Sequence, residues 1–229
     1  MNLSFGKVWD RSEFSVAHGP EVIGRVPDRY LFKKDTLRVL DMPIKFPDTE
    51  IRLPNVLWQF KETIEICTTH SDGIVDPTLY YIYLTADQGI VNAFQTQRTP
   101  GVHVDGFQGP RINPKVVASH SYLVSNTLPT KFYVQPFDLV NLDDNVHNFF
   151  KAMGEQTKSK YTYQPDPYDI VVLDSYCAHR AVYSPEFTER TFFRLEYCVR
   201  KYDRKGNTHN SLFKYRWRMV PRPIPEHLI

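Results

Sequence analysis

The sequence predicts a mainly β chain, folded as a sandwich or barrel with few helices. Aromatic and β-branched residues gather in short runs, which suits strands. Proline outnumbers glycine, 17 to 10, which fits a chain of many loops better than a helical bundle. Turn-forming clusters separate the runs at near-regular spacing, the pattern of an antiparallel sandwich or barrel.

The elements follow in order. The first fifty residues are broken by Pro20, Pro27, Pro43 and Pro47 and read as an extension with one or two short strands, around 37–40. Residues 56–67 carry Val56, Leu57, Phe60, Ile64 and Ile66 at irregular spacing, favouring helix over strand. LYYIYLT (79–85) is a strand, ended by the turn cluster Ala86, Asp87, Gln88 and Gly89. Residues 91–95, 102–107, 116–124 and 131–134 follow as short strands. One helix interrupts them: Asp143 or Asp144 caps it, Val146, Phe149, Phe150 and Met153 form its apolar stripe, and Gly154 closes it. DIVVL (169–173) and TFFRLEYCV (191–199) are the strongest late strands, with a short one at 179–182 between them. The expected organisation is a single domain over 1–229. It has a catalytic core at about 79–200, an N-terminal extension at 1–78 and a basic C-terminal tail at 201–229.

Charge and cysteine usage exclude several classes. With 28 basic and 26 acidic residues the formal net charge is +2, so nothing electrostatic demands a nucleic-acid partner. Lys201, Arg204, Lys205, Lys214, Arg216 and Arg218 make the C-terminal stretch basic. A solvated tail is expected there, with a docking surface for an anionic substrate or carrier as the alternative. No run approaches the ~18–20 apolar residues of a membrane span. Cys67, Cys177 and Cys198 lack CxxC spacing, and the opening MNLSFGKVWDRSEF has no apolar signal region. The expectation is a reducing, cytoplasmic compartment with free thiols.

The segment TPGVHVDGFQG (99–109) carries the chemistry. On a strand His103 and Asp105 leave the same face, while Val102 and Val104 pack on the other. An imidazole beside a carboxylate makes two corners of a metal site. His179, opening a short strand after an apolar one, is the candidate third ligand, which a closed β fold would bring back. Two histidines and one carboxylate leave adjacent coordination positions open, the facial arrangement of non-haem iron(II) oxygenases. His120 and His147 lack a carboxylate at strand spacing, and His18, His70, His209 and His227 sit in loops or ends. Arg190 begins the strand after His179 and can take a carboxylate with its planar fork. Arg194 faces the same side.

This order, HxD, a distal His and then an Arg, resembles the iron(II)/2-oxoglutarate-dependent dioxygenase superfamily over residues 79–200. The resemblance implies a double-stranded β-helix (jelly roll, cupin-like) with a few flanking helices, and iron(II) held by His103, Asp105 and His179. It implies 2-oxoglutarate as co-substrate with O2, its distal carboxylate on Arg190, with Arg194 as the fallback. The family often has a small hydroxylated residue two positions after the Arg; here Phe192 stands there and Thr191 one earlier. Since Asp105 is present where halogenating relatives have a small residue, the resemblance implies hydroxylation or a related C–H oxidation rather than halogenation, with release of succinate and CO2. Desaturation, ring closure and demethylation stay open, and the compact chain favours a small-molecule substrate.

Around the triad, Tyr122 and Tyr133 are candidates to bond 2-oxoglutarate from the barrel interior, with Asn126 and Lys131 behind them. Arg98, Gln108 and Arg111 are candidates for the substrate side. Three other readings stay open. They are an iron oxidase or lyase without 2-oxoglutarate, a zinc hydrolase using Glu189 or Glu196 as base, and a cupin-like binding module. Glu196 would face inward and pair with Arg194.

Overall fold

The computed structural model describes residues 7–28, 32, 36–107, 111–112, 115–117, 120–143 and 145–221. Its strands are β1 (Glu21–Arg25), β2 (Leu37–Lys45), β3 (Tyr81–Val91), β4 (His120–Ser125), β5 (Lys131–Tyr133), β6 (Thr162–Tyr163), β7 (Asp169–Asp174), β8 (His179–Arg180) and β9 (Thr188–Cys198). Helices α1 (Lys61–Asp72) and α2 (Phe149–Gln156) flank them.

One antiparallel sheet runs β1-β7-β4-β9-β3-β2, and a smaller one runs β6-β5-β8. His103 extends the small sheet through an antiparallel bridge to His179. From β3 onward the chain alternates between the sheets: β3 large, the His103 segment small, β4 large, β5 and β6 small, β7 large, β8 small, β9 large. That winding is a double-stranded β-helix, with β1 and β2 added at the two edges of its large sheet.

Strand alternation sorts the side chains into layers. Ile82, Leu84, Tyr122, Val124, Ile170, Val172, Phe193, Leu195 and Tyr197 leave the outer face of the large sheet and pack with Phe60, Ile64 and Cys67 from α1 and the turn before it. The opposite face of the same strands gives Leu123, Val171, Leu173 and Phe192, which meet Phe132 and Cys177 between the sheets. Beyond the small sheet, Val102, Val104, Tyr133 and Ala178 pack against Trp9, Phe14, Phe149 and Met153. Each fully buried side chain of this kind contributes ~1.5–3 kcal/mol.

Several local expectations are corrected. The cluster Ala86 to Gly89 is no turn. It lies inside β3, which pairs with β9 without interruption from Tyr81↔Cys198 to Val91↔Thr188. Gln88 is satisfied there by Gln59 at 2.9 Å and Thr191 at 3.1 Å. Residues 102–107 form no strand beyond the single bridge at His103. Asn148, not Asp143, caps α2, accepting from the Lys151 amide at 2.8 Å. Asp143 takes the Asn145 amide instead, Asp144 lies outside the described residues, and Gly154 sits inside the helix. The extension is wider in role than expected, since it supplies β1, β2 and α1.

The C-terminal stretch, over its described residues to 221, is not a solvated tail. Tyr202 stacks on Tyr83 with ring centroids 4.2 Å apart. Phe213 and Trp217 both stack on Phe46. Asn210 is fully buried and donates to the carbonyls of Pro43 and Arg52, each at 2.9 Å. The apolar residues between the charges decide the outcome.

Candidate metal centre

His103 and His179 exchange backbone bonds, each amide donating to the other's carbonyl at 2.9 Å. The two imidazoles therefore stand side by side, centroids 4.5 Å apart. Asp105 follows in the turn after the bridge, where Gly106 has φ 99, a conformation glycine adopts freely. One ligand atom from each of His103, Asp105 and His179 lies within 4.8 Å of the others.

The hydrogen bonds prepare these atoms. Nδ1 of His103 bonds the Gly101 carbonyl at 2.8 Å, and Nδ1 of His179 bonds the Cys177 carbonyl at 3.0 Å. A proton on Nδ1 leaves the Nε2 lone pair of each ring for a metal. Asp105 Oδ1 accepts from Arg194 Nη1 at 2.9 Å. Its Oδ2 is buried without a hydrogen-bond partner and lies 3.9 Å from His179 Nε2. A buried anionic oxygen left bare costs stability unless a cation meets it, so the donor set fits a divalent metal.

Charge is set accordingly. Burial, with His179 beside it, pulls the His103 imidazole down to about 4, so the ring is neutral at neutral pH, the form a metal takes. Burial would raise the Asp105 carboxyl, but Arg194 and the two imidazoles outweigh it and hold the group well below the usual carboxylate range.

Arg194 points into the barrel and spends its fork on carboxylates: Asp105, Asp41 at 2.7 Å and Glu196 at 3.3 Å. Tyr202 donates to the other oxygen of Glu196. Burial pushes the Glu196 carboxyl up from 4.5 to about 7, against the pull of Arg194. The folded chain therefore keeps a proton there that the unfolded chain releases. Its stabilising contribution is complete below about pH 4.5 and is lost as pH rises to about 7. Glu196→Gln should flatten that part of the stability profile, as read by urea denaturation at pH 5 and pH 8. An unchanged slope would assign the proton elsewhere.

Arg190 is 4% exposed. It donates from Nε to the Thr127 and Leu128 carbonyls, from Nη2 to Leu128 at 3.1 Å, and from Nη1 to Gln97 at 2.6 Å. A guanidinium has five donors, and the bonds to described residues use one N–H on each Nη and the Nε–H. Arg98 and Arg190 lie over the Phe192 ring, at 5.4 and 5.3 Å from its centroid. Arg98 pairs with Asp87 at 3.9 Å.

Two expected positions are corrected. Tyr122 does not face the interior. Its hydroxyl bonds Ser71 at 2.6 Å and His70 at 2.8 Å under α1. Tyr133 points away from the barrel into the layer with Trp9 and Phe14, and its neighbour Phe132 takes the inward position, 5.8 Å from the His179 ring. Asn126 serves the backbone, accepting from the Thr191 amide at 2.8 Å. Arg111 is half-buried next to Ile112, which packs in that same layer. Gln108 lies outside the described residues. Asp41 and Gln97, which bond Arg194 and Arg190, carry no motif in the sequence that marks them.

No protein-family model matches the chain, and no curated protein sequence matches it. Among solved structures it is similar to EvdO2 from Micromonospora carbonacea var. aurantiaca, at 14% identity over 85% of this chain and 93% of that one, TM-score 0.45. It is similar to an oxidoreductase of the 2OG-Fe(II) oxygenase family from Burkholderia pseudomallei, at 12% identity over 82% and 77%, TM-score 0.39. A third likeness is to the non-haem monooxygenase ThoJ in its apo form, at 8% identity over 95% and 89%, TM-score 0.45. All three are remote in sequence and loose in superposition.

Proposed function

We propose that this chain is a non-haem iron(II), 2-oxoglutarate-dependent oxygenase that hydroxylates a C–H bond of a small molecule. The observation that supports it best is the bare Asp105 Oδ2 facing two imidazoles whose Nδ1 atoms are already engaged. Three protein ligands leave coordination positions for co-substrate and O2, and iron bound there supplies the oxidising chemistry. His103, Asp105 and His179 hold the metal, and Arg190 takes the distal carboxylate of 2-oxoglutarate with its planar fork. Arg194 is less suited, since three carboxylates already surround it. Arg98 is assigned to an anionic group of the substrate.

A zinc hydrolase is disfavoured because neither candidate base is placed to act at the metal. Glu196 is held by Arg194 and Tyr202, and Glu189 is exposed on the face of β9 that carries Phe193 and Leu195 to the outer layer. Among the described residues no helix is long and apolar enough to cross a membrane, and the three cysteines are buried free thiols.

The test is succinate release from 2-oxoglutarate with iron(II) and ascorbate but no substrate. Slow uncoupled turnover is expected, absent from His103→Ala. No turnover in the wild type, despite bound iron, would move the chain to the iron proteins that do not use 2-oxoglutarate. Arg190→Lys keeps the charge but loses the fork, and should raise the KM for 2-oxoglutarate by about tenfold or more. An unaltered KM would remove Arg190 from the site.

A further inference from the structure

Asp41 comes from β2, outside the eight-strand winding. The β2–β3 register slips between Val39 and Met42, and Asp41 stands in that slip with φ 42. Non-glycine residues held in this region cluster at functional sites. The bulge aims the carboxylate into the barrel. There Asp41 Oδ1 accepts from Thr85 Oγ1 at 3.0 Å and from Arg194 Nη2 at 2.7 Å, while the Asp41 amide donates to Thr85 Oγ1 at 3.1 Å. Arg194 Nη1 then reaches Asp105 Oδ1 at 2.9 Å. The side chains of Asp41, Arg194 and Asp105 are all nearly buried, at 10%, 14% and 12% exposed.

We propose that Asp41 and Arg194 form a positioning relay that fixes Asp105 as a one-oxygen ligand. Arg194 occupies Oδ1, so Oδ2 alone faces the imidazoles. Asp41 pins the far side of the guanidinium, so the fork cannot swing away with the carboxylate. Without the relay, Asp105 is free to rotate and ligate through both oxygens, closing a coordination position the reaction needs. A cation needed only to balance interior charge would be replaceable by lysine. One donor on each Nη, aimed at two separate carboxylates, is a demand on geometry that a lysine does not meet. The proposal rests on the metal-centre reading.

The experiment uses cobalt(II) alone as the probe, titrated into the metal-free full chain and followed by its visible absorption bands. Wild type should bind one ion, and His103→Ala none. Arg194→Lys should bind about 10–100-fold more weakly, the loss typical of an outer-shell partner, with an altered band pattern. Asp41→Asn should shift both readouts the same way by a smaller factor. Asparagine tolerates the left-handed region, so this variant keeps the fold if Arg194→Lys does not, as thermal unfolding of each metal-free variant would record. Wild-type affinity and bands in a folded Arg194→Lys or Asp41→Asn would overturn the relay while leaving the metal centre intact. Failure of the wild type to bind cobalt would overturn the metal centre itself.

Discussion

His179→Ala should lose metal binding and every metal-dependent activity while the chain stays folded. On the proposed reading the imidazole is one of three ligand side chains, so the loss should exceed the 10–100-fold that an outer-shell change costs. Its backbone bonds to His103 do not depend on the side chain, so the bridge survives. The ring contacts Phe132 and bonds the Cys177 carbonyl, and its removal should cost about 1–3 kcal/mol. His120→Ala is the contrast. His120 is 1% exposed, bonds Ser71 at 2.9 Å and stacks on Tyr197, on the outer face of the large sheet. Its loss should lower thermal stability and leave metal affinity unchanged. Calorimetric titration with iron(II) or cobalt(II) beside thermal unfolding separates the two. Equal metal affinity in His179→Ala and wild type would refute the triad.

Ending the chain after Lys201 should destroy cooperative unfolding. Truncation removes Tyr202, which closes one end of the barrel against Tyr83, and leaves Glu196 without its phenol donor. It also uncovers Phe46 and Tyr81, which pack with Phe213 and Trp217. It breaks the pairing of Thr208 with Leu40 at β2 as well. Phe213→Ala alone should cost about 3–5 kcal/mol. Urea denaturation followed by tryptophan fluorescence and circular dichroism tests both variants. A truncated chain that unfolds at the wild-type midpoint would restore the solvated tail.

What was legible in the sequence followed physical periodicity. The mainly β class came from composition and turn spacing, and the alternation of Val102, His103 and Val104 correctly put the valines in the outer layer and the imidazole inside. Parity failed at Tyr122 because β4 is buried on both faces, so hydrophobicity cannot say which side is the interior. Tyr133 failed for the same reason, since Phe132 and Tyr133 are both buried. Asp87 and Gln88 looked like a turn because their partners, Arg98 and Gln59, are distant in sequence. Asp41 was invisible because a bulge has no residue signature here, and its importance exists only once Arg194 lies beside it. The three candidate ligands that the fold brings together were legible as residue types in order, whereas their supporting bonds were not.

The bridge between His103 and His179 closes the long loop between those positions with two backbone bonds. An ion shared by the two imidazoles would close the same loop a second time, as a crosslink does. Such a closure removes conformations from the unfolded chain, and longer loops gain more from it. Metal supply would then act on the protein's lifetime as well as on its turnover, because an ion that binds only the folded chain stabilises it by mass action. The metal-depleted chain would be the form that proteases find first.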